Sequence, residues 1–374
     1  MPHHKVQFFQ LFFMVTLFFI LLFCSPLQKD EKKHYLRITF IQMKKTTEVR
    51  LKTFFQILLI ALPFTAAKGQ TGEIAFNFLR LPHSSHAAAL GGNNISIIED
   101  DITLAAHNPA LLINSTHNTF SLGYMSYMSD SKVASAAYGR VFNERAAGAI
   151  FARYVDYGEF EGYTPENIYT GTFTAKDMVF SATYSHLLSE KWSGGVTGNF
   201  IYSKYETMSS VAIGVDLGLN YYDEENNLSA SLVAKNLGAQ ITAFEDKTEK
   251  MPFDLQLGVT KKLSHAPLRL SVTMVNLHKW SSNDFYNADG SKDNTGQKIF
   301  KHFIFGADFL FSERFYAAVG YNYRTSKELS SNGSKWDGFS IGAGLNIKKI
   351  KLNASYSKLH VSSSSLLFNV SYTL

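Results

Sequence analysis

The residues that could do chemistry in this sequence are few and are not arranged for it. His83 and His86 lie three positions apart, close enough to share a helix face and bind a metal ion, but no carboxylate or third ligand stands beside them. The run 342–344 (Gly-Ala-Gly) lacks the third glycine and the following helix of a nucleotide-binding turn. The acidic run 223–225 is most simply a solvated turn, with calcium binding as the alternative. The sequence therefore predicts a non-catalytic protein with no cofactor and no bound metal.

The positive charge of the chain is concentrated in its first residues. Of the 374 residues, 36 are Lys or Arg and 31 are Asp or Glu. Residues 1–70 contain ten of the basic and three of the acidic residues, a net charge of +7, which leaves −2 for residues 71–374. Basicity confined to a leader gives no reason to expect nucleic-acid binding. The single cysteine, Cys24, also lies in the leader, so we expect no disulfide or thiol chemistry in the rest of the chain.

The leader contains two apolar runs, at 8–23 and 54–67. The second follows a cluster of Lys and Arg and ends in small residues, Ala66 and Ala67, which is the order found in a secretory signal peptide. We therefore predict a signal peptide over 43–70 and an upstream extension of the gene model over 1–42. The alternative for the first run is a true membrane helix.

Residues 118–374 alternate between apolar and polar side chains with a period of two, which is typical of strands with one apolar and one polar face. The clearest case is the end of the chain, where the apolar series is Leu366, Phe368, Val370, Tyr372 and Leu374. We expect this last strand to close a barrel. Roughly fourteen such segments occur, and their usual length would span a bilayer at the tilt of an outer-membrane strand.

The connections between these segments give a second indication. Short gaps fall near 143–145, 189–191, 223–226, 264–266, 312–313 and 349, and longer connections fall near 156–173, 239–253, 279–299 and 325–336. Tight turns on one side and longer loops on the other are typical of a bacterial outer-membrane barrel. A soluble β-sandwich is the alternative for any alternating sequence, but its strands average about five or six residues. We therefore predict an all-β protein, a transmembrane antiparallel barrel of about fourteen strands over 118–374.

Residues 71–117 follow a different pattern. A short helix is expected within 81–90, ended by Gly91 and Gly92, and a helical turn is expected at 102–106 after acidic residues. Pro109 should then break the helical pattern. A barrel of about fourteen strands has a lumen that must be filled unless it conducts water. We therefore predict that 71–117 fold inside the barrel as a hatch.

The same segment resembles the N-terminal region of the PorQ family, outer-membrane components of the type IX secretion system of Bacteroidota, and more distantly the PorV and FadL families. The resemblance rests on an Ala-Ala-Ala-Leu-Gly-Gly run at 87–92 and an Asn-Pro-Ala-Leu run at 108–111. It implies a fourteen-stranded barrel with an internal hatch. The hatch-motif residues that it singles out are Arg80, Gly91, Gly92, Asn108, Pro109 and Ala110.

The resemblance also implies a function. A PorQ-like protein is integral to the outer membrane, in contact with lipid and lipopolysaccharide. It anchors a PorZ-like surface protein in a cargo-attachment complex with a PorU-like sortase and a PorV-like shuttle. Exposed aromatic residues on long loops would then serve as partner anchors, or alternatively dip into the outer leaflet. The candidates are Tyr157, Phe160, Tyr163, Tyr169, Trp280, Phe285 and Tyr286.

The other function that the resemblance allows is FadL-type transport of hydrophobic small molecules. Transport requires an apolar pocket in the lumen or a kinked strand that opens the wall. The glycines at 194–195, 214 and 218 are candidates for such a kink. An apolar channel is disfavoured by the charged residues that we expect to face the lumen, namely Arg153, Asp216, Lys235 and Asp308.

Overall fold

A computed structural model of the protein describes residues 75–374, except for 116, 129, 246–247, 282–284, 286, 289, 292, 330–335 and 359–363. The predicted leader, with its signal peptide, lies outside the described residues, as does Tyr286. Among the described residues, no helix is long and apolar enough to cross a membrane.

Within the described residues, fourteen antiparallel strands form a closed barrel, which confirms the predicted fold class. Each strand pairs with its neighbours in the chain, and the last pairs with the first. The strands are β1 (Thr119–Ser126), β2 (Lys132–Asn143), β3 (Ala146–Tyr163), β4 (Tyr169–Ser189), β5 (Trp192–Tyr205), β6 (Met208–Asp223), β7 (Leu228–Thr242), β8 (Asp254–Lys262), β9 (Leu268–Met274), β10 (Phe303–Leu310), β11 (Phe315–Asn322), β12 (Phe339–Ile347), β13 (Ile350–Ser357) and β14 (Ser365–Thr373).

The seam of the barrel is closed by β14, whose register against β1 runs from Thr119 opposite Thr373 to Ser126 opposite Leu366. Its outer face carries Leu366, Phe368, Val370 and Tyr372, which are 42–47% exposed, and Leu374 follows the strand. Its inner face carries buried Ser365, Leu367, Asn369 and Ser371. Rows of exposed apolar side chains recur around the cylinder, for example Leu122, Ile150, Phe180, Leu232 and Ile341. Such a surface is suited to lipid, so the barrel is of the outer-membrane type.

The two ends of the barrel differ. At the short-turn end, β2–β3, β4–β5 and β12–β13 are joined by tight connections, and Thr373 donates its backbone N–H to Lys349 there. At the long-loop end lie the β7–β8, β9–β10 and β11–β12 connections, two of which contain the helices α2 (Thr295–Phe300) and α3 (Tyr323–Leu329). In barrels of this type the short turns are periplasmic and the longer loops extracellular.

The predicted long loop at 156–173 is wrong in detail, because most of it continues as strand. β3 runs on to Tyr163 and β4 begins at Tyr169, whereas the neighbouring strands stop pairing at Asp156 and Ala175. Residues 157–174 therefore form a two-stranded ribbon that projects beyond the barrel rim. We call it the β3–β4 ribbon.

Candidate functional site in the barrel lumen

The lumen is occupied by residues 75–115, which we call the hatch. Its first described residue, Ala75, donates its N–H to the carbonyl oxygen of Lys250 (3.1 Å) in the β7–β8 loop, at the long-loop end. At the other end, Leu374 donates its N–H to Asn118, just before β1 (3.0 Å). The hatch therefore descends from the long-loop mouth to the short-turn end, which confirms the predicted segment inside the barrel.

The hatch is built from short helical turns with defined caps. They are a 3-10 helix at Asn77–Arg80, helix α1 (Ser85–Ala89), and 3-10 helices at Ile102–Ala106 and Pro109–Asn114. Ser84, Asp101 and Asn108 each accept a hydrogen bond from a backbone N–H in the turn that they begin, as caps do. Gly91 and Gly92 have φ of 99° and 96°, which confirms the glycine exit from α1. Pro109 begins the last 3-10 helix at its first position, where its missing N–H costs nothing.

Glycines of the wall make room for the backbone of the hatch. A Cβ added at Gly320 would overlap the backbone nitrogen of Gly91, and one added at Gly195 would overlap the carbonyl group of Pro109. A Cβ at Gly218 would overlap the side chain of Asn108. Wall glycines at 139, 258, 306 and 342 likewise face Ile102, Ile95, Leu90 and Ala89. Gly195 and Gly218, the candidate kinks, therefore allow a close approach of the hatch. Pairing is regular at Gly195, whereas the β6–β7 register shifts between Val215 and Leu217, beside Gly218.

Hydrogen bonds fix helix α1 of the hatch to two wall residues. Asn369 on β14 accepts a hydrogen bond from the backbone N–H of Ser85 (2.6 Å) and donates to the carbonyl oxygen of His83 (3.3 Å). Ser340 on β12 accepts from the N–H of Gly91 (2.8 Å) and donates to the carbonyl oxygen of Ala89 (2.7 Å). Polar wall residues thus satisfy the backbone groups that the short helix α1 leaves open.

A closed ring of four charged side chains joins the hatch to β9 and β10 of the barrel wall. His86 contacts Glu99 through Nδ1 (2.8 Å) and Asp308 through Nε2 (2.6 Å). Arg269 donates through Nε to Asp308 (2.8 Å) and through Nη2 to Glu99 (2.7 Å). The imidazole also stacks on Tyr316, with ring centroids 4.0 Å apart. We call this set the ion ring; the hatch supplies His86 and Glu99, and β9 and β10 supply the other two.

The ion ring is electrically balanced only when His86 is protonated. Burial alone would lower the pKa of His86, but the carboxylates of Glu99 and Asp308 outweigh it and raise the pKa to about 9. A raised folded-state pKa stabilises the protein fully below the ordinary value of 6.5, and this contribution is lost as the pH rises through about 9.

We therefore expect the apparent unfolding temperature of the barrel to fall between about pH 7 and about pH 10, because deprotonated His86 leaves two facing carboxylates with one cation. Heat-modifiability on gels measures this temperature. In the His86→Gln variant, which has no imidazole to titrate, most of this pH dependence should disappear. An equal fall in both proteins would contradict the role given to His86.

An apolar region lines the lumen near the long-loop mouth. It consists of buried inward-facing residues of β1, β2, β3, β4, β5, β6 and β14, namely Met125, Val133, Val155, Val179, Ile201, Ala212 and Leu367. Phe76 and Phe78 of the hatch pack against this region, which we call the outer patch. The outer patch was missed from the sequence because β3, β4 and β5 are apolar on both faces there: Val179 faces in and its neighbour Phe180 faces out. Such a stretch shows no alternation.

Below the outer patch the lumen is polar, as the sequence predicted. Arg153, Asp216 and Asp308 are buried on inner faces, and Lys235 donates to the carbonyl oxygen of Ala106 in the hatch (2.9 Å). The lumen therefore combines a polar lower part with an apolar patch near the mouth, which the buried polar residues Asp177 and Ser203 border.

The hatch-motif residues divide into two groups. Gly91, Asn108 and Pro109 lie at contacts with wall glycines, and Ala110 accepts hydrogen bonds at its carbonyl oxygen from Ser193 (3.0 Å) and Ser185 (3.3 Å). Gly92 adopts the positive φ with which the chain leaves α1. Arg80 is an exposed residue at the end of the first 3-10 helix.

Of the aromatic residues selected as partner anchors, Tyr157 does not belong to an exposed loop. Its hydroxyl donates to Asp177 (2.6 Å), and its ring packs against the outer patch. Phe160, Tyr163 and Tyr169 lie on the β3–β4 ribbon and are 42–55% exposed.

The aromatic residues predicted in the β9–β10 loop are partly packed. Trp280 is half exposed, while its ring lies 4.3 Å from that of His302. Phe285 lies between His302, 5.2 Å from its ring, and the guanidinium of Arg324, at 5.1 Å. Both rings therefore contact His302, just before β10, and Phe285 also contacts α3.

Neither of the two histidines considered above as metal ligands has a geometry that suggests metal binding. His86 belongs to the ion ring, and the backbone N–H of His83 donates to His107 (3.2 Å). Among the described residues, no group of three or more His, Cys, Asp or Glu side chains is arranged to hold a metal ion.

No protein-family model matches this sequence, and no curated protein matches it. Among solved structures, the toluene transporter TodX of Pseudomonas putida is similar at 12% identity and a TM-score of 0.50, covering 78% of this chain and 98% of TodX. The monoaromatic hydrocarbon channel CymD is similar at 13% identity and a TM-score of 0.48, covering 80% of this chain and 98% of CymD. The likeness to TodX shows a shared fold.

Proposed function

We propose that this chain is an outer-membrane protein of FadL type that takes up hydrophobic small molecules, with the hatch as its gate. The observation that carries the proposal is the outer patch. A barrel lumen normally presents polar side chains, yet here the outer patch presents apolar side chains from β1 to β6 and β14, beside the buried carboxylate of Asp177. It lies at the long-loop mouth, where a ligand from outside would arrive.

The contacts of the hatch fit a gate. Its upper end covers the outer patch with Phe76, Phe78 and their neighbours, and Met251 of the β7–β8 loop packs in the same cluster. Its lower part is held by wall glycines, hydrogen bonds and the ion ring. A hydrophobic ligand could therefore replace the two phenylalanines without breaking the lower contacts. The shared fold with TodX, described as a toluene transporter, also supports this proposal.

We expect the double substitution V155T/V179T to lower the uptake of radiolabelled toluene by cells about tenfold, because each buried hydroxyl weakens an apolar site by about 1 kcal/mol or more. Valine and threonine have the same shape, so the strands are preserved. Val233→Thr is the matched control: Val233 is also buried and inward-facing, but lies on β7 outside the outer patch. Equal uptake by wild type and the double variant, at equal outer-membrane levels, would reject the proposal.

A second candidate is the PorQ-like role of holding a PorZ-like protein at the cell surface, beside a PorU-like sortase and a PorV-like shuttle. The observation that favours it is the β3–β4 ribbon. Phe160 and Phe173 stack on it at 5.5 Å, and Tyr163 and Tyr169 meet at 5.7 Å. Among the described residues, no neighbouring strand pairs with the ribbon outside the barrel. Unpaired strand edges with aromatic side chains suit strand addition by a partner.

Removing residues 159–173 separates the two functions. If the ribbon anchors a partner, a surface protein that co-purifies with the wild-type barrel should be lost, while toluene uptake remains. If transport is the function, neither co-purification nor uptake should depend on the ribbon.

A further inference from the structure

A small cavity lies between the hatch and the wall, on the polar side of the outer patch. Its volume is about 30 Å³. It is lined mainly by polar side chains of β3 to β7, with Arg153, Asp216 and Lys235 as the charged members, and by His83 of the hatch. A cavity of this size holds about one or two water-sized occupants.

Arg153 is the principal feature of this cavity. It is only 3% exposed, and its terminal nitrogen Nη1 donates to the backbone carbonyl oxygens of Phe78 (3.3 Å) and Leu81 (2.9 Å). Its Nε–H has no hydrogen-bond partner, and among the described residues no carboxylate forms an ion pair with it. A buried guanidinium normally has an anionic partner, since an uncompensated buried charge is costly.

The other charges around the cavity do not compensate Arg153. Lys235 adds a second cation, whose amine donates to the carbonyl oxygen of Ala106. Asp216 is the one carboxylate among the described lining residues, and it already accepts the backbone N–H of Asn236 (2.6 Å). Lys235 also lies opposite Asp254 of β8, so the cation that lacks a carboxylate partner among the described residues is Arg153.

The neighbouring histidine, His107, is neutral and does not change the charge around the cavity. Nε2 of His107 lies 3.2 Å and 3.4 Å from the backbone N–H groups of His83 and Ser84, so it acts as an acceptor. Its Nδ1 lies 2.8 Å from the side-chain oxygen of Asn93 and therefore carries the proton. His107 is thus neutral, in agreement with a pKa that burial and the nearby cations Lys235 and Arg153 hold well below its ordinary value.

We propose that this cavity binds a small monovalent inorganic anion of about the size of chloride. The anion would accept the free Nε–H of Arg153 and balance the charge of its guanidinium. The cavity volume of about 30 Å³ suits an ion of this size, and the polar lining distinguishes the cavity from any site for a transported hydrophobic molecule. Because Arg153 also holds the carbonyl groups of Phe78 and Leu81, the bound anion would stabilise the part of the hatch that covers the outer patch.

The test is refolding of the full barrel in sodium chloride or in sodium gluconate at equal ionic strength, since a buried anion exchanges slowly in the folded protein. We expect the apparent unfolding temperature to be about 2–4 °C higher in chloride. Arg153→Met should abolish the difference between the two salts. Arg140→Met, which removes an exposed arginine of β2, should retain it.

Crystals grown in bromide give a second readout that needs no variant. An anomalous peak within hydrogen-bonding distance of Arg153 Nε would support the proposal. Absence of the peak would overturn it, with water as the occupant, whatever the salt dependence. Equal unfolding temperatures in both salts, or a difference that survives in Arg153→Met, would also overturn it.

Discussion

Replacement of Gly320 by leucine is expected to unseat the hatch while leaving the barrel assembled. Gly320 faces inward on β11, and even a methyl group there would overlap the backbone nitrogen of Gly91 and the backbone of Leu90. A backbone cannot yield as a flexible side chain does, so the cost should reach at least about 3 kcal/mol. Amide hydrogens of the hatch should then exchange about 100-fold faster, as mass spectrometry of peptides from 82–114 would show.

The matched control for this prediction is Gly198→Leu. Gly198 lies on β5, is exposed, and has no atom within 4 Å of an added Cβ. A leucine there adds one more apolar group to the outer wall, so the exchange of the hatch should be unchanged. Unaltered exchange in Gly320→Leu would mean that the hatch is not seated against β11 as described.

The second large effect is expected for Arg269→Met. This change removes the wall cation of the ion ring and leaves Glu99 and Asp308 facing only His86. Removing one partner from a buried charge network costs about 3–5 kcal/mol, because the remaining charges lose their compensation. The hatch should therefore be cleaved by added protease in outer-membrane vesicles at concentrations that leave the wild type intact.

Lys191→Met is the control for that effect. Lys191 pairs with Asp223 at 2.9 Å, but it lies at the short-turn rim with half of its side chain exposed. Pairs of this kind contribute little to stability, so the protease resistance of the hatch should be retained. Equal sensitivity of the two variants would show that the ion ring has no special role.

The parts of the fold that were predictable from the sequence are those in which the type of a residue depends only on its immediate surroundings. On β14 the outward series from Leu366 to Tyr372 is apolar and most of the inward series is polar, so the alternation alone indicates a lipid-facing wall. The glycine exit at Gly91 was predictable for the same reason, because its backbone conformation is a local property. The β3–β4 ribbon was missed because Gly158, Gly162 and Gly171 resemble a loop.

The candidate site depends instead on residues that are distant in sequence. His86 contacts Asp308 although 222 positions separate them in the sequence, and no local sequence pattern indicates this contact. From the sequence alone, Gly195 and Gly218 suggested kinked strands. They make room for Pro109 and Asn108 of the hatch, and this contact becomes visible only when the hatch is placed in the lumen. Arg153 and Lys235 were correctly expected to face inward, but their shared cavity requires the register of five strands.

The central claim is that the hatch seals the lumen of a membrane-spanning barrel. The most direct measurement is the ion conductance of the purified protein in a planar lipid bilayer, compared with a variant that lacks residues 75–115. The wild type should insert without a steady open pore, and the variant should conduct like a porin. A steady, porin-sized conductance from the intact wild type would contradict the claim.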